Sequence, residues 1–515
     1  MKRCLTLLLA AMTLLLTGCS SWEDPAMEDP FRELNEYYQS ENEDVTLMPV
    51  TAFALPYFSG ESLDPYTCPD GIQLTLGTLL YEGLYRLDEQ FCPQCVLAES
   101  ASYDSVAHSY TIQLRQDARF SDGSPVTGND VTRSLLRAQE SARYAGRLSD
   151  VKRIESSGSA VVITLEHGNR HFLSRLDIPI LKAGTETDTI PVGSGPYCWA
   201  EDDGIPYLAK NSYNSRSTAL PLARIELSAC RSVDASSYAF YAREVQLLTC
   251  DLTSTAGDNI AGEPVDADTC ALLYLGFNLR ESRLEDAAVR QALSLAIDRS
   301  SIVSAYLLGH GKAAQFPVSP CDPLYPVDFE KESSADAFAA AMEEIGLNSG
   351  EHTYDLTLVV NEESSFKTAI AREIAERCSA CDLQINVKAL PWDAYQAALE
   401  DGYFDLYLGE CKLTADWDLR PFLAGDGALN YGAWYDPELE ALMDAWLESD
   451  ESHQESAMNA LCKALQQKVP FLPLCFKSSS VLVNVGVVEN LHPTAADPFY
   501  RMEDWDIHFD KPTEN

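Results

Sequence analysis

The segment YTIQLRQDARFSDGSPVTGNDV, residues 110–131, joins a strand to a helix through a tight turn. Apolar residues alternate over 109–114, which predicts a strand with one buried face. Asp122-Gly123 is typical of a tight turn, and Thr127 is a suitable N-cap for the helix that follows. Each part has a structural role, so the segment indicates a strand–turn–helix scaffold that does not need to contact a ligand.

Short strands alternate with amphipathic helices along the rest of the chain. Apolar alternation or short apolar runs predict strands over 45–57, 160–165, 273–278, 353–360, 383–387, 404–408 and 471–476. Helical spacing of apolar residues predicts helices over 74–85, 286–308, 366–377, 392–399, 437–447 and 455–467. This mixture favours α/β layers in more than one lobe. The sequence has no repeat of fixed period, which excludes a solenoid or a propeller.

The composition is that of an ordinary globular protein. The 515 residues are enough for about three packing units. Hydrophobic residues make up 46% and charged residues 23%, which excludes a wholly disordered chain, a collagen-like chain and a polytopic membrane protein. The 79 acidic residues outnumber the 37 Lys and Arg and give a formal charge of -42. Phosphate backbones would repel such a chain, so nucleic acid is not an expected partner.

The N-terminus carries the features of an export signal. Lys2 and Arg3 precede an apolar run over 5–17, which is too short to span a bilayer of about 30 Å. The run ends in Leu-Thr-Gly-Cys, which resembles the lipobox of bacterial lipoproteins. That resemblance implies a signal peptide over 1–18 and a diacylated Cys19 as the first mature residue. The alternative is a secreted protein in which this cysteine has no such role.

Residues 19–44 are predicted to form an acidic tether. They contain many carboxylates and few large aliphatic side chains, so they cannot bury enough apolar surface to fold alone. Two acyl chains suffice to hold a protein at a membrane surface. The folded body is therefore expected at the extracytoplasmic face of the cell membrane.

The cysteines leave several chemistries open. Of the 15, Cys4 lies in the signal and Cys19 is the lipidation site, so an odd number remains. CxxC motifs occur at 92–95 and 378–381. Four thiolates could bind zinc and a CPxC can be a redox centre, but the motifs are far apart and lack a zinc-ribbon or thioredoxin context. Local disulfides or free thiols are the favoured alternatives, and no metal site is predicted.

The sequence carries no motif for a common catalytic mechanism. It contains no HExxH, GxSxG or GxxxxGK[ST]. His167 and His171 have i,i+4 spacing, but Gly168 and Asn169 lie between them and the preceding segment is a predicted strand. Because there is no candidate pair of general acid and base, we expect no enzyme activity, no catalytic residues and no cofactor.

A series of sequence blocks in a fixed order stands out from this background. The blocks are LDP at 63–65, LYEGLY at 80–85, LAES at 97–100, residues 110–131, PVGSGPY at 191–197, VRQAL at 289–293 with AIDR at 296–299, and PFLPL at 470–474. Together they resemble the family 5 extracellular solute-binding proteins, the oligopeptide and dipeptide receptors of ABC importers. The resemblance runs from about residue 46 to the C-terminus, and the combination of blocks is more specific than any one of them.

The resemblance implies an α/β, periplasmic-binding-protein-like fold of type II. Two lobes joined by a hinge would enclose a ligand cleft, with an additional inserted domain. Lobe I is expected to combine residues 45–74, 187–269 and 478–515. The inserted second domain would cover 75–186, and lobe II would cover 270–477.

The resemblance also implies a site for an extended peptide. In the oligopeptide receptors an Asp that follows a strand and an Ala binds the peptide α-amine. Ala415-Asp416-Trp417 matches that pattern, so Asp416 and Trp417 are candidate ligand-binding residues. Trp392 takes the position of a cleft Trp, and Asp70 lies in a loop that often carries a polar cleft residue. A loop-capping role for Asp416 and a core position for Trp392 are the alternatives.

The stretch GECKLT at 409–414 departs from the family pattern, which is shorter and carries Gly and Trp. Glu410 and Lys412 are further candidates for ligand binding, and Lys412 or Arg420 could meet a carboxylate. The departure leaves room for another ligand, because relatives carry nickel chelates, haem or oligosaccharides.

The leading prediction is a membrane-anchored, monomeric receptor that delivers peptides to an ABC permease and its ATPase. Some relatives have a disulfide that joins the segment before the strand predicted over 273–278 to the segment before Asp416. This resemblance implies a bond between Cys270 and Cys411. One competing interpretation keeps the fold but replaces the peptide by a nickel chelate, haem or an oligosaccharide. Another is a sensor of a signal peptide that does not transport it.

Overall fold

The computed structural model describes residues 49–252, 262–280, 283–350 and 353–510. The predicted signal peptide, Cys19 and the acidic tether lie outside these residues. The strands, in chain order, are β1 (Ala54–Phe58), β2 (Tyr85–Leu87), β3 (Pro93–Cys95), β4 (Ala98–Asp104), β5 (Ser109–Leu114), β6 (Val151–Ser157), β7 (Ala160–Leu165), β8 (Tyr197–Asp202), β9 (Ile205–Lys210), β10 (Arg224–Cys230), β11 (Leu247–Cys250), β12 (Glu263–Phe277), β13 (Gly311–Ala313), β14 (Tyr354–Asn361), β15 (Leu383–Leu390), β16 (Leu406–Lys412), β17 (Phe471–Val483), β18 (Val488–Glu489) and β19 (Asp506–Ile507). The α-helices are α1 (Ile72–Leu80), α2 (Gly128–Glu140), α3 (Val233–Tyr241), α4 (Ala287–Ala296), α5 (Arg299–Tyr306), α6 (Ala335–Glu344), α7 (Ser365–Cys378), α8 (Trp392–Asp401), α9 (Arg420–Leu423), α10 (Pro437–Leu447) and α11 (Gln454–Lys468).

Residues 110–131 form the predicted strand, turn and helix. β5 lies inside a four-stranded antiparallel sheet of order β4-β5-β7-β6, and Ile112 on its inner face is fully buried. Gly123 has a φ of 84°, in the left-handed region that glycine adopts without a steric penalty. The Asp130 carboxylate at the start of α2 accepts a hydrogen bond from the Thr127 backbone N–H at 2.8 Å, which completes a capping box.

A second four-stranded sheet has the order β1-β10-β9-β8. The PVGSGPY block leads into β8 and packs against the end of α1. The Gly195 N–H donates to the Leu80 carbonyl at 2.8 Å, and a Cβ on Gly195 would lie only 2.3 Å from the Leu79 carbonyl oxygen. Glycine is therefore needed for this backbone contact, and the block is structural.

A seven-stranded sheet has the order β11-β17-β12-β16-β14-β15, with β13 also paired to β17. β12 and β17 are antiparallel and pair in two stretches, on either side of register shifts between Asp268 and Leu272 and between Leu273 and Tyr274. The first stretch lies beside β11, and the second lies beside β16. The first register shift falls next to the lobe boundary predicted at 269–270, and the domain plan itself stays a prediction.

Hydrophobic clusters cover both faces of the second stretch of β12. Leu273 and Leu275 belong to one cluster, whereas Leu272 and Tyr274 belong to another on the opposite face. The strand is therefore a near-continuous apolar run, as expected for a strand buried on both sides. Among the described helices, none combines the length and the apolar composition needed to cross a membrane.

The single helix predicted over 286–308 is wrong, because two helices occupy this range. α4 ends at Ala296 and α5 begins at Arg299. The Asp298 carboxylate between them accepts a hydrogen bond from the Ser301 N–H at 2.9 Å. This N-cap starts a new helix and changes the direction of the chain.

Candidate ligand-binding site

The site is built on one edge of the seven-stranded sheet. β14, β15 and β16 run parallel, and Asn361 at the end of β14 pairs with Leu390 at the end of β15. The loops that follow these strands therefore lie along the same edge. In open α/β sheets, ligands bind outside the carboxyl ends of the strands. Lys412 ends β16, Asp416 follows this strand at the same edge, and Trp392 follows β15.

Asp416 is held in the centre of a buried polar contact. Its Oδ2 accepts hydrogen bonds from Arg175 Nε at 2.5 Å and from Asn169 Nδ2 at 2.7 Å. Its backbone carbonyl accepts a hydrogen bond from Trp446 Nε1 at 2.9 Å, which fixes the loop. The other carboxylate oxygen, Oδ1, is buried and has no hydrogen-bond partner among the described residues. One strong acceptor of this carboxylate is therefore buried and unpaired among the described residues.

The contact continues into a network of alternating charges. Arg175 also donates to Asp418 at 2.7 Å, and Arg420 binds both Asp418 at 2.6 Å and Asp150 at 3.3 Å. Burial raises the pKa of Asp418, but the hydrogen bond from Arg420 and the charge of Arg175 outweigh this effect and hold it at about 2. The network joins a loop after β16 to the segment between β7 and β8.

Arg420 does not have the role predicted for it as a contact for a ligand carboxylate. Its guanidinium is bound by the Asp418 and Asp150 carboxylates. These contacts neutralise it inside the network, so it acts as a partner of Asp418 instead.

Trp417 is a core residue in this structure, in contrast to its predicted contact with ligand. Only 1% of it is exposed, and its indole N–H donates to Asp322 at 2.7 Å. Phe91 and Phe476 pack against its ring edge-to-face, with centroid distances of 5.5 and 5.9 Å. Its backbone has a φ of 53°, in the left-handed region that is uncommon for a residue other than glycine.

Lys412 lacks a charged partner among the described residues, although the residue is exposed to solvent. Its dense surroundings and the charge of Arg147 lower its pKa. Arg147 itself pairs with Asp177, and Arg143 pairs with Asp70 at 2.7 Å. Lys412 is therefore the group at this edge that is best placed to bind a carboxylate.

The other predicted site residues have different environments. Asp70 is 86% exposed and forms a surface ion pair with Arg143. Glu410 binds Lys367 at 2.7 Å and lies 3.6 Å from Lys477, so its charge is already compensated. Trp392 is 45% exposed at the start of α8, so the alternative of a core position is wrong. The structure thus brings Lys412, Asp416 and Trp392 to one sheet edge, but pairs Asp70 and Glu410 with cations of the chain.

The Cys270–Cys411 disulfide is not formed in the structure, where both thiols are free. Cys411 pairs with Leu272 across the strands, and the Cys270 carbonyl accepts a hydrogen bond from the Leu413 N–H. The two cysteines are thus diagonal neighbours, which are about 7–8 Å apart. A disulfide requires Cα atoms closer than about 7 Å.

The two CxxC motifs lie in unrelated parts of the fold. The first is in the hairpin formed by β2 and β3, and the second follows α7. All 13 cysteines of the described ranges have free thiols. Within these ranges, no group of three or more His, Cys, Asp or Glu side chains could hold a metal ion.

Sequence reasoning missed Arg175 and Asn169, which provide the partners of Asp416. They are separated from it by 241 and 247 residues. The available signal was the concentration of polar residues in NRHFLSR at 169–175 between apolar stretches. That signal cannot indicate which distant carboxylate they contact.

The fold and its polar sheet edge define a two-lobed solute-binding protein of type II. The chain belongs to the bacterial extracellular solute-binding proteins, family 5, whose middle-region model matches residues 93–424. This confirms the family resemblance and the fold class predicted from the sequence.

Relatives of similar length support this assignment. The oligopeptide-binding protein AppA of Bacillus subtilis is 23% identical over 496 residues, which cover 85% of this chain and 88% of the relative. The glutathione-binding protein GsiB of Shigella dysenteriae is 24% identical over 465 residues, covering 80% and 86%. Among solved structures, HbpA2 of Haemophilus parasuis superposes with a TM-score of 0.74 at 19% identity and covers 89% of this chain and 100% of its own. AppA of Bacillus subtilis in complex with a nonapeptide has a TM-score of 0.60 at 20% identity, covering 90% and 100%.

Proposed function

We propose that this protein captures peptides outside the cell and delivers them to an ABC permease, acting as a monomer. The observation that carries the proposal is the free Oδ1 of Asp416. A peptide α-ammonium group would give this oxygen a charge-assisted hydrogen bond. Arg175 and Asn169 would continue to occupy Oδ2 and hold the carboxylate in position.

The charge of the network favours an ammonium ligand. Asp416, Asp418 and Asp150 supply three negative charges, and Arg175 and Arg420 supply two positive charges. His167 Nδ1 also lies 2.8 Å from Asp150, so one negative charge remains when this imidazole is neutral. A ligand ammonium group would balance that charge, whereas a ligand carboxylate would be repelled.

Lys412 supplies the complementary charge for the other end of a peptide. Its ammonium group makes no ion pair with a described residue. Its dense surroundings and the charge of Arg147 lower its pKa, whereas the charge of Asp70 partly opposes this shift. A terminal or side-chain carboxylate would give Lys412 a counter-ion. The pair of unmet charges at one sheet edge fits a zwitterionic ligand, which agrees with relatives named for binding oligopeptides and glutathione.

The binding experiment uses residues 20–515 without the lipid anchor. Its melting temperature is recorded with di- to octapeptides, N-acetylated and C-amidated versions of the same peptides, nickel chelates, haem and oligosaccharides. A ligand at about 100 times its Kd stabilises a protein by about 2.7 kcal/mol, which corresponds to a few degrees at this chain length. We expect peptides to raise the melting temperature and N-acetylation to abolish the effect.

Two variants test which residue binds each end of the peptide. Asp416→Asn should remove the response to free peptides, and Lys412→Gln should remove the preference for free over amidated C-termini. Asp450→Asn is the matched control, because Asp450 is 52% exposed and pairs only locally with His453. A shift with nickel chelates, haem or oligosaccharides alone would keep the fold and contradict the peptide proposal.

Membrane attachment through Cys19 is part of the same proposal and needs its own test. Wild-type chain expressed in a bacterium should incorporate radioactive palmitate and sediment with membranes. Cys19→Ala should lose the label and appear in the soluble fraction or the medium. A Cys19→Ala protein that still carries the label would show that the lipid is attached elsewhere.

A further inference from the structure

A cavity lies outside the Asp416 network. It has a volume of about 280 Å³ and is lined by residues from three segments, 82–97, 115–119 and 212–218. The first segment follows α1 and includes the β2–β3 hairpin, the second follows β5, and the third follows β9. Asp416, Arg175 and Asn169 are not among the lining residues. The cavity is therefore formed where the loop after β9 meets the strand–turn–helix segment.

The lining is strongly basic in a very acidic protein. The chain has 37 Lys and Arg against 79 Asp and Glu. The cavity reverses this ratio, because its wall contains four arginines and two carboxylates: Arg86, Arg115, Arg119, Arg216, Glu82 and Asp117. Such a concentration of guanidinium groups creates a local positive potential that attracts anions.

Two of the arginines are neutralised by the two carboxylates. Arg115 forms a bidentate pair with Asp117, with distances of 3.0 and 2.8 Å. Arg216 binds Glu82 at 2.7 Å, and Asn214 donates to the same oxygen at 2.9 Å. These pairs fix the wall but leave two positive charges uncompensated by the lining.

Arg86 and Arg119 carry those two charges. Arg119 donates to the backbone carbonyls of Gln116 and Ala118, each at 2.9 Å, and forms no ion pair with a described residue. Arg86 lies over the Tyr500 ring at 4.8 Å, and its Nη1 is buried without a hydrogen-bond partner. Arg216 Nε is also buried without a partner. Buried N–H donors that lack an acceptor are unfavourable, so an anion that came within hydrogen-bond distance of these arginines would be stabilised.

Three carboxylates outside the lining also influence these arginines. Asp497 and Glu503 act on Arg216, and Glu99 acts on Arg115. Burial raises the pKa of Asp497, and the charges of Arg216 and Arg86 partly oppose that rise. The excess of guanidinium groups is therefore a property of the lining, where four of them face two carboxylates.

The remaining lining favours a phosphate group over a carboxylate. Ser212, Ser215 and Thr218 place hydroxyl groups at the exposed side of the cavity. A phosphate monoester has three oxygens that can accept bonds from guanidinium forks and hydroxyl groups together, whereas a carboxylate has two. We propose that this cavity binds the phosphate group of a phosphomonoester, independently of the ligand held at Asp416.

The experiment measures binding to residues 20–515 by isothermal titration calorimetry at low ionic strength. The probes are inorganic phosphate, glycerol phosphate, acetate, and vesicles with and without phosphatidic acid. Arg86→Gln and Arg119→Gln are compared with Arg153→Gln, a matched variant whose side chain is 66% exposed and pairs with Glu155 on the surface. Melting temperatures without ligand identify any variant that fails to fold.

We expect phosphate and glycerol phosphate to bind, and the affinity to fall with added salt. Either cavity variant should weaken binding by about tenfold, equivalent to about 1.4 kcal/mol, while Arg153→Gln keeps the wild-type affinity. Binding of phosphatidic acid vesicles without binding of glycerol phosphate would identify a lipid headgroup as the source of the phosphomonoester. Equal binding of acetate, no binding of any phosphate probe, or equal affinity in all variants would overturn the proposal.

Discussion

The Arg175 guanidinium occupies one oxygen of the Asp416 carboxylate and leaves the other oxygen without a partner. The Nε–Oδ2 distance is 2.5 Å, and the two side chains are only 3% and 0% exposed. Water therefore does not replace either partner when the other is removed. The same contact holds the candidate ligand-binding carboxylate in place and makes it part of the stability of the protein.

Single substitutions in this pair should be costly and non-additive. Arg175→Met and Asp416→Asn each leave a buried group without its partner, so each should lower the free energy of unfolding by about 3–5 kcal/mol. The loss in the double variant should be about 2 kcal/mol smaller than the sum of the two single losses. Urea denaturation of the four proteins measures this coupling. Strictly additive losses would show that the pair does not form in solution.

Stability should fall in acid because of Asp418. The pKa of this carboxyl is lowered from 3.8 to about 2 in the folded protein, so the folded state binds fewer protons than the unfolded state between these values. The contribution of Asp418 to the free energy of unfolding is fully present above about pH 4 and is lost as the pH falls through about 2. The difference in unfolding free energy between wild type and Asp418→Asn should therefore be about 2 kcal/mol larger near pH 6 than near pH 2.

Asp450 provides the control for this pH dependence. Its pKa is also lowered to about 2, by hydrogen bonds from Ser452 and His453, but its carboxylate is exposed. Asp450→Asn should change the pH profile much less, and added salt should remove the remaining effect. Equal pH effects in the two variants would contradict a special role for the buried network.

Phe91 should stabilise the contact between the β2–β3 hairpin and Trp417. It is 7% exposed, and its ring packs edge-to-face on the Trp417 indole. Phe91→Ala should lower the free energy of unfolding by about 3 kcal/mol and increase hydrogen exchange over 88–95. Phe509→Ala, at a position that is 43% exposed, is the control. Unchanged exchange in the hairpin would show that another contact holds it.

The thiols should divide clearly by reactivity. Cys92 and Cys95 are exposed, whereas Cys378, Cys462 and Cys475 are buried, and burial raises the pKa of these three thiols to about 12. After reduction, the native protein should react rapidly with Ellman's reagent at Cys95 and somewhat more slowly at the exposed Cys92, because burial and the charge of Asp88 raise the pKa of the Cys92 thiol. The Cys92→Ser/Cys95→Ser double variant should lose this fast phase. Rapid reaction of the buried thiols would indicate local opening of the α7 or α11 region.

Local patterns predicted much of the scaffold but not the first half of β12. The turn after β5 and the cap of α2 depend on neighbouring residues, so Asp122-Gly123 and Thr127 indicated them correctly. β12 starts at Glu263 rather than at 273, because its first stretch is polar. There Asp266 accepts a hydrogen bond from Ser480 at 2.6 Å and contacts His310 at 2.9 Å, so cross-strand polar contacts replace the apolar pattern.

Only part of the candidate site could be predicted, because a local motif does not show which distant residues it contacts. The short motif Ala415-Asp416-Trp417 indicated Asp416 through the family pattern. Its partner Arg175 comes from a distant part of the chain, and Trp417 is held in the core by Asp322 and Phe91, which are also distant in sequence. Tertiary contacts decide these features, and they are not visible in hydrophobic periodicity.

The shared strands β12 and β17 also determine when this protein can finish folding. β17 lies between β11 and β12, and it contains residues close to the C-terminus. Until Phe471–Val483 has been synthesised, both stretches of the large sheet lack a central strand. Pairings between residues so far apart in sequence form slowly. The large sheet is therefore completed late, and a truncation before Phe471 should yield a chain that aggregates or is degraded instead of a smaller working receptor.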